Sequence, residues 1–186
     1  MAHHYKILSK QVFEAGQFSI VPIRYEDRLD IMKWRNEQMF HLRQSSSLSI
    51  EDQESYFNNV ISNLFHHDAP DQLLFSYMER GRCIGYGGLV HINWIDKNAE
   101  ISFLLDTHRH PDLLESDWDN YLNLIEQVAF SELKLHKLFT YAFDIRPYLY
   151  PIFEKSNYFL DARLKEHCLF EGKYIDVVIH AKINEI

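Results

Sequence analysis

Apolar and polar positions change period several times along this chain, and each change marks a predicted element. Residues 18–24 alternate apolar and polar around Pro22 and predict a first strand, with the proline placing it at a sheet edge. From 27 to 35 the period lengthens. Leu29, Ile31, Met32 and Trp34 form a helical stripe that the serines at 45–47 break. Ser49 followed by Asp52 three residues on is a capping box, and predicts a helix running through Tyr56, Phe57, Val60 and Leu64. A turn-rich stretch at 66–71 leads to strands at 73–78 and 83–92, joined by Arg80-Gly81. Gly85, Gly87 and Gly88 in the second of these imply a bulge or a close backbone approach. Asp96-Lys97-Asn98 turns the chain into a strand at 99–105. A loop and a long helix ending at 127–133 follow, then a strand at 136–143, a short helix at 150–155, and strands at 162–167 and 171–179.

This order predicts one α/β domain over residues 1–186, with 1–17 as an N-terminal extension, a mixed sheet and helices on both faces. The helix after Leu105 is expected to cross over, right-handed, to the strand at 136–143. In open α/β sheets a ligand sits beyond the carboxyl ends of strands where the topology switches, here the gap between those two strands.

The words Lys33-Trp34-Arg35-Asn36, Ala99-Glu100-Ile101 and Tyr150-Pro151-Ile152-Phe153-Glu154-Lys155, with the order and spacing of elements from 100 to 182, resemble the GNAT superfamily of N-acetyltransferases over roughly 18–183. The resemblance implies a GNAT-like sheet of about six or seven strands with splayed central strands. It implies acetyl-CoA as co-substrate, its pantetheine arm pairing with the free edge at Phe103, Leu104, Leu105, Asp106 and Thr107. Trp34, Arg35 and Trp94 match words of the aminosugar-acetylating group, where they lie near the acceptor, and the Trp34 indole is equally at home in a core.

The chain also departs from the family. The glycine-rich pyrophosphate loop should fall near 113–118, where the chain reads Leu-Leu-Glu-Ser-Asp-Trp. Ser116 and Asp119 there form a capping box of their own, which predicts a helix start. Glu115, Asp117 and Asp119 favour such a helix but oppose a phosphate at the same place. Arg109, with His108 and His110, is the expected cationic counterweight. The family's Asn and Tyr positions near the last short helix hold Arg146 and Phe153. Phe153 has no proton for a departing thiolate, so Tyr150, three residues earlier on the same helix face, is the expected substitute.

Glu100 opens the central strand. A carboxylate there can take the proton an amine must lose, and His91 on the preceding strand is a second acceptor. The candidate catalytic pair is therefore Glu100 and Tyr150. Arg109 and Arg146 join the free edge in holding the cofactor, and Trp34, Arg35, His91 and Trp94 form the acceptor side.

Composition narrows the reading. With 186 residues, 46% of them hydrophobic, the chain can bury a full core. A net charge of −8 disfavours nucleic acid as a partner. No apolar run is long enough for a membrane span, and residues 1–13 lack the apolar core of a signal peptide, so the expected compartment is the cytoplasm. The 2 cysteines lie outside any metal-spacing motif. His108, His110 and Asp112 lack a further ligand, and no metal is expected. The reading is an acetyl-CoA-dependent N-acetyltransferase acting on a primary amine. Its acceptor is an amino sugar or sugar nucleotide, with a protein N-terminus as second choice. The rival is a catalytically silent relative that binds a small molecule or a protein.

Overall fold

A computed structural model describes residues 4–185. Among them nine strands form a single sheet: β1 Phe13–Ala15, β2 Phe18–Pro22, β3 Leu73–Glu79, β4 Arg82–Asn93, β5 Asn98–Leu105, β6 Lys137–Phe139, β7 Ala142–Phe143, β8 Phe159–Phe170 and β9 Lys173–Ile183. The first five lie in chain order and pair antiparallel. β6 joins β5 in parallel, and β9 then pairs antiparallel with β6, β7 and β8. The helices are α1 Arg28–Glu37, α2 Ile50–Tyr56, α3 Ser62–Leu64, α4 Leu114–Glu126 and α5 Tyr150–Lys155. A π-helical turn, Phe57–Ile61, makes α2 and α3 one continuous rod, and another, Gln127–Glu132, prolongs α4.

Local chemistry explains most of these boundaries. Ser49 accepts from the Asp52 backbone at 3.1 Å while the Asp52 carboxylate accepts from the Ser49 backbone at 3.0 Å, the expected capping box. Arg80-Gly81 and Glu171-Gly172 both carry positive φ, as two-residue hairpin turns require. Helices cover both faces of the sheet. Ser102 lines a cavity under α1 and α2, while its neighbour Phe103 stacks on Tyr121 of α4 at 3.7 Å, and successive strand residues point to opposite faces. Gly87 permits this packing. A Cβ there would lie 2.1 Å from the Ser102 carbonyl oxygen and 2.5 Å from the Tyr121 hydroxyl.

Two sequence expectations change, and residues 4–17 contribute to the core. Tyr5 is buried, and its hydroxyl donates to the Leu74 carbonyl at 2.8 Å and accepts from the Leu74 amide at 2.9 Å. The sheet edge is β1, not β2. β1 pairs only as far as Ile20, so Pro22 lies beyond its reach and costs no ladder bond on that side. The strand expected at 136–143 is two short strands, because Thr140 leaves β5 and donates its amide to the His180 carbonyl at 2.8 Å.

Candidate active site

That break opens the sheet. β5 and β6 share only the pairs Asn98–Lys137, Ala99–Leu138 and Glu100–Phe139. Beyond Glu100 the far edge of β5 has no strand partner among the described residues, since β7 pairs with β9 instead. The Asp106 amide donates to Ile84 of β4 at 2.9 Å. By the alternation of an antiparallel ladder, the even-numbered residues of β5 therefore bond to β4, and Ile101, Phe103 and Leu105 turn their N–H and C=O groups toward the gap. The Leu105 carbonyl accepts from the Gln38 side chain at 2.8 Å.

Two small chambers of about 110 Å³ each run along this edge. His41, Phe103, Trp118 and Arg146 line both, so the chambers form one trench. Its outer end reaches Leu114 at the start of α4, and its inner end reaches Glu100, Thr140 and Tyr141. On the other face of β5 lies a cavity of about 530 Å³ under α1 and α2, walled by Arg35, Tyr56, Gln72, Tyr86 and Ser102. A larger hollow of about 660 Å³ lies beside β8 and β9, away from the gap between β5 and β6, and its Lys182 is already paired with Glu126 at 2.8 Å.

Glu100 stands where the sheet divides. It is 6% exposed, and one carboxylate oxygen accepts from Arg43 at 2.5 Å while the other lies 2.8 Å from His91 Nδ1. His91 has φ 50° at a bulge in β4, which turns its ring toward Glu100. Arg43 also lies over the Tyr141 ring at 4.6 Å and so spans the inner end of the trench. Sequence reasoning passed over Arg43, because it sits in a loop with no local motif and meets Glu100 across 57 residues.

Arg146 and His41 share the middle of the trench. The Arg146 guanidinium makes no hydrogen bond or ion pair with any described residue, and its Nε is buried. Burial lowers its pKa from the ordinary guanidinium value. Burial, with Arg146 nearby, pushes the His41 imidazole down to about 3, which keeps it neutral, and its Nδ1 is unpartnered.

Other expected site residues lie elsewhere. The Tyr150 hydroxyl donates to Asp144 on the β7 side and its ring packs on His180 at 4.8 Å, so it does not line the trench. Burial followed by the Asp144 carboxylate raises its pKa. Arg109 is consumed by two carboxylates, Asp117 at 2.7 and 2.8 Å and Glu79 at 2.7 Å, and has no free face for a phosphate. Its hydrogen bond to Asp117 is the main cause of its raised pKa. Trp34 is buried core, and Trp94 donates its indole N–H to the Pro70 carbonyl at 2.9 Å, outside the cavity under α1 and α2. The Asp106 amide is taken by β4, and the Thr107 hydroxyl donates to Glu37. Arg35 does face the cavity, donating to the Tyr86 hydroxyl at 2.7 Å.

The helix start differs as well. A 3-10 turn, Pro111–Leu113, precedes Leu114, where α4 begins, so Ser116 lies inside the helix and caps nothing. The acids of that turn are each accounted for. Asp117 points inward to Arg109, Glu115 accepts from Lys155 at 2.5 Å, and Asp119 accepts from Ser156 at 3.2 Å.

Residues 20–179 match the family described as the acetyltransferase (GNAT) domain. The chain belongs to the GNAT acetyltransferase family. The fold of this GNAT acetyltransferase is similar to that of the spermidine N-acetyltransferase of Vibrio cholerae, solved in complex with CoA and spermine. Identity is 20%, the match covers 91% of this chain and 96% of the other, and the TM-score is 0.76. A dodecameric structure of the Vibrio cholerae enzyme in an intermediate state matches at 18% identity, 91% and 95% coverage and a TM-score of 0.71. At these identities the likeness carries the fold. Within this GNAT acetyltransferase, no helix of the described residues is long and apolar enough to cross a membrane.

Proposed function

We propose that this N-acetyltransferase takes acetyl-CoA as donor along the free edge of β5 and a primary amine from the cavity under α1 and α2. The observation that carries the reading is the edge of β5 without a strand partner at Ile101 and Phe103, ending at the buried carboxylate of Glu100. Unpaired strand-edge groups are ready hydrogen-bond partners for an amide-bearing arm, and the unpartnered Arg146 guanidinium in the same trench supplies a further donor.

Acetyl-CoA supplies an activated acetyl thioester. An N–H of the free edge polarises its carbonyl oxygen. Glu100 serves both sides of β5. It lines the inner end of the trench, and it shares a strand face with Ser102 of the acceptor cavity. Its carboxylate takes the proton the amine sheds, and His91, 2.8 Å away, passes the proton to solvent. No activated serine or cysteine lines the trench among the described residues, so transfer is direct.

The acceptor is an amino sugar or sugar nucleotide. The cavity presents one guanidinium, Arg35, with two tyrosines and Gln72, and its carboxylate, Asp52, is committed to capping its own helix. Arg43 stands at the junction. That lining suits hydroxyls and anionic groups, whereas a linear polycation needs a row of free carboxylates. The test is calorimetric titration with acetyl-CoA, then product detection with an aminosugar nucleotide, a free amino sugar, spermidine and a peptide with a free N-terminus. Turnover is expected with the sugars and is lost in Arg35→Gln through KM. Faster turnover with spermidine overturns the acceptor, and absence of acetyl-CoA binding overturns the donor in favour of a silent binding protein.

A further inference from the structure

Breaking a thioester leaves a negative sulfur that something must receive. Phe153, which lines the inner chamber, carries no proton. The Tyr150 hydroxyl is bound to Asp144 outside the trench. Tyr148 borders only the outer chamber and is 58% exposed. Arg146 borders both chambers and is half-buried, with its Nε out of solvent and unpartnered and no anion beside it among the described residues. Such a group is costly to the fold unless a ligand brings the missing charge. Its apolar neighbours Phe103, Trp118, Leu149 and Phe153 lower the local dielectric and strengthen any charge pairing there. His41 beside it stays neutral, and Arg43 at the inner end is paired with Glu100, which leaves Arg146 as the unpaired positive charge of the trench.

We propose that Arg146 receives the CoA sulfur as a thiolate, stabilising the leaving group by charge and not by proton donation. This rests on acetyl-CoA being the donor. The amine nitrogen forms the new C–N bond with its lone pair. The C–S bond breaks with its electron pair going to sulfur, and one amine proton goes to Glu100. The products are the amide, a protonated Glu100 and a thiolate paired with Arg146. On release the thiolate takes a proton from water and Glu100 returns its own, so charge balances.

The experiment follows the ionisation of bound CoA by thiolate absorbance, and compares the affinities for CoA and desulfo-CoA in wild type, Arg146→Gln and Arg146→Lys. A free thiol titrates near pH 8.5, and beside Arg146 the bound thiol is expected to ionise about one unit or more lower. Between about pH 6.5 and about pH 8.5 the preference of wild type for CoA over desulfo-CoA then rises about fivefold or more. The rise disappears in Arg146→Gln and survives in Arg146→Lys. Turnover of Arg146→Gln falls about a hundredfold and is partly rescued by adding Phe153→Tyr, which restores a proton donor. Thermal denaturation confirms that Arg146→Gln folds, as removal of an unpaired charge permits. If Arg146→Gln weakens CoA and desulfo-CoA equally and leaves the thiol ionising at the wild-type pH, Arg146 only holds the pantetheine arm and the assignment falls. A thiol shift that vanishes in Tyr141→Phe and not in Arg146→Gln overturns it equally. Failure of wild type to bind either ligand removes the donor itself, an outcome distinct from normal CoA binding with an unshifted thiol.

Discussion

At the scale of single residues, the site turns on whether a side chain is free or already engaged. Glu100 was legible because a carboxylate opening a central strand has few structural uses, and the fold gives it one more, as the last residue paired before the sheet divides. Glu100→Gln is expected to lower turnover by about 10²–10⁴ while acetyl-CoA binds nearly as before, measured by steady-state kinetics beside calorimetry. Unchanged kinetics at saturating amine would assign Glu100 to holding Arg43 in place. Tyr150 shows the limit of residue reasoning. Helical spacing from Phe153 made it a plausible proton donor, but spacing does not say that Asp144 and Arg163 draw it to the β9 side. Arg43 had no signal at all, since its loop is ordered by partners distant in sequence.

Among elements, the strands and their turns were readable from alternation and from turn chemistry, and the capped helix at Ile50 from Ser49 and Asp52. The start of α4 was not. A second serine–acid pair at 116 and 119 looked like a cap, yet Pro111 starts the turn earlier and Asp117 leaves the helix end for the Arg109 guanidinium. This reverses the expected effect of the acidic run. Asp117→Asn is expected to lower stability to denaturant by about 3–5 kcal/mol, the usual cost of breaking one partner from a buried pair. Acetyl-CoA affinity of the folded fraction stays the same, and Asp119→Asn changes neither. Tighter acetyl-CoA binding in Asp117→Asn at unchanged stability would place that carboxylate against the phosphates instead.

For the molecule as a whole, burial of imidazoles couples stability to pH. His41 is held neutral down to about 3, and burial likewise lowers the pKa of His180, which is 2% exposed. A free imidazole titrates near 6.5. Their contribution is therefore complete above about pH 6.5. Below it the unfolded chain binds protons that the folded state refuses, so stability is lost as pH falls, by up to about 1.4 kcal/mol per pH unit for each histidine. Carboxylates enter only nearer their own range, so denaturant titrations between about pH 6.5 and about pH 5 isolate the histidines. His41→Gln and His180→Gln are each expected to flatten that slope, and an unchanged slope in both would refute the linkage. The sequence by itself determined the order of elements and the family, and it put Glu100 near the head of β5. These follow from period, turn residues and short words, all of them local. Only tertiary structure decided which charges are free. It spent Arg109 on Asp117 and Glu79, turned Tyr150 to Asp144, brought Arg43 and His91 onto Glu100, and left Arg146 alone in the trench. The physical reason is that an ion pair or hydrogen bond is set by distance in space, and residues tens of positions apart carry no local record of who will meet them.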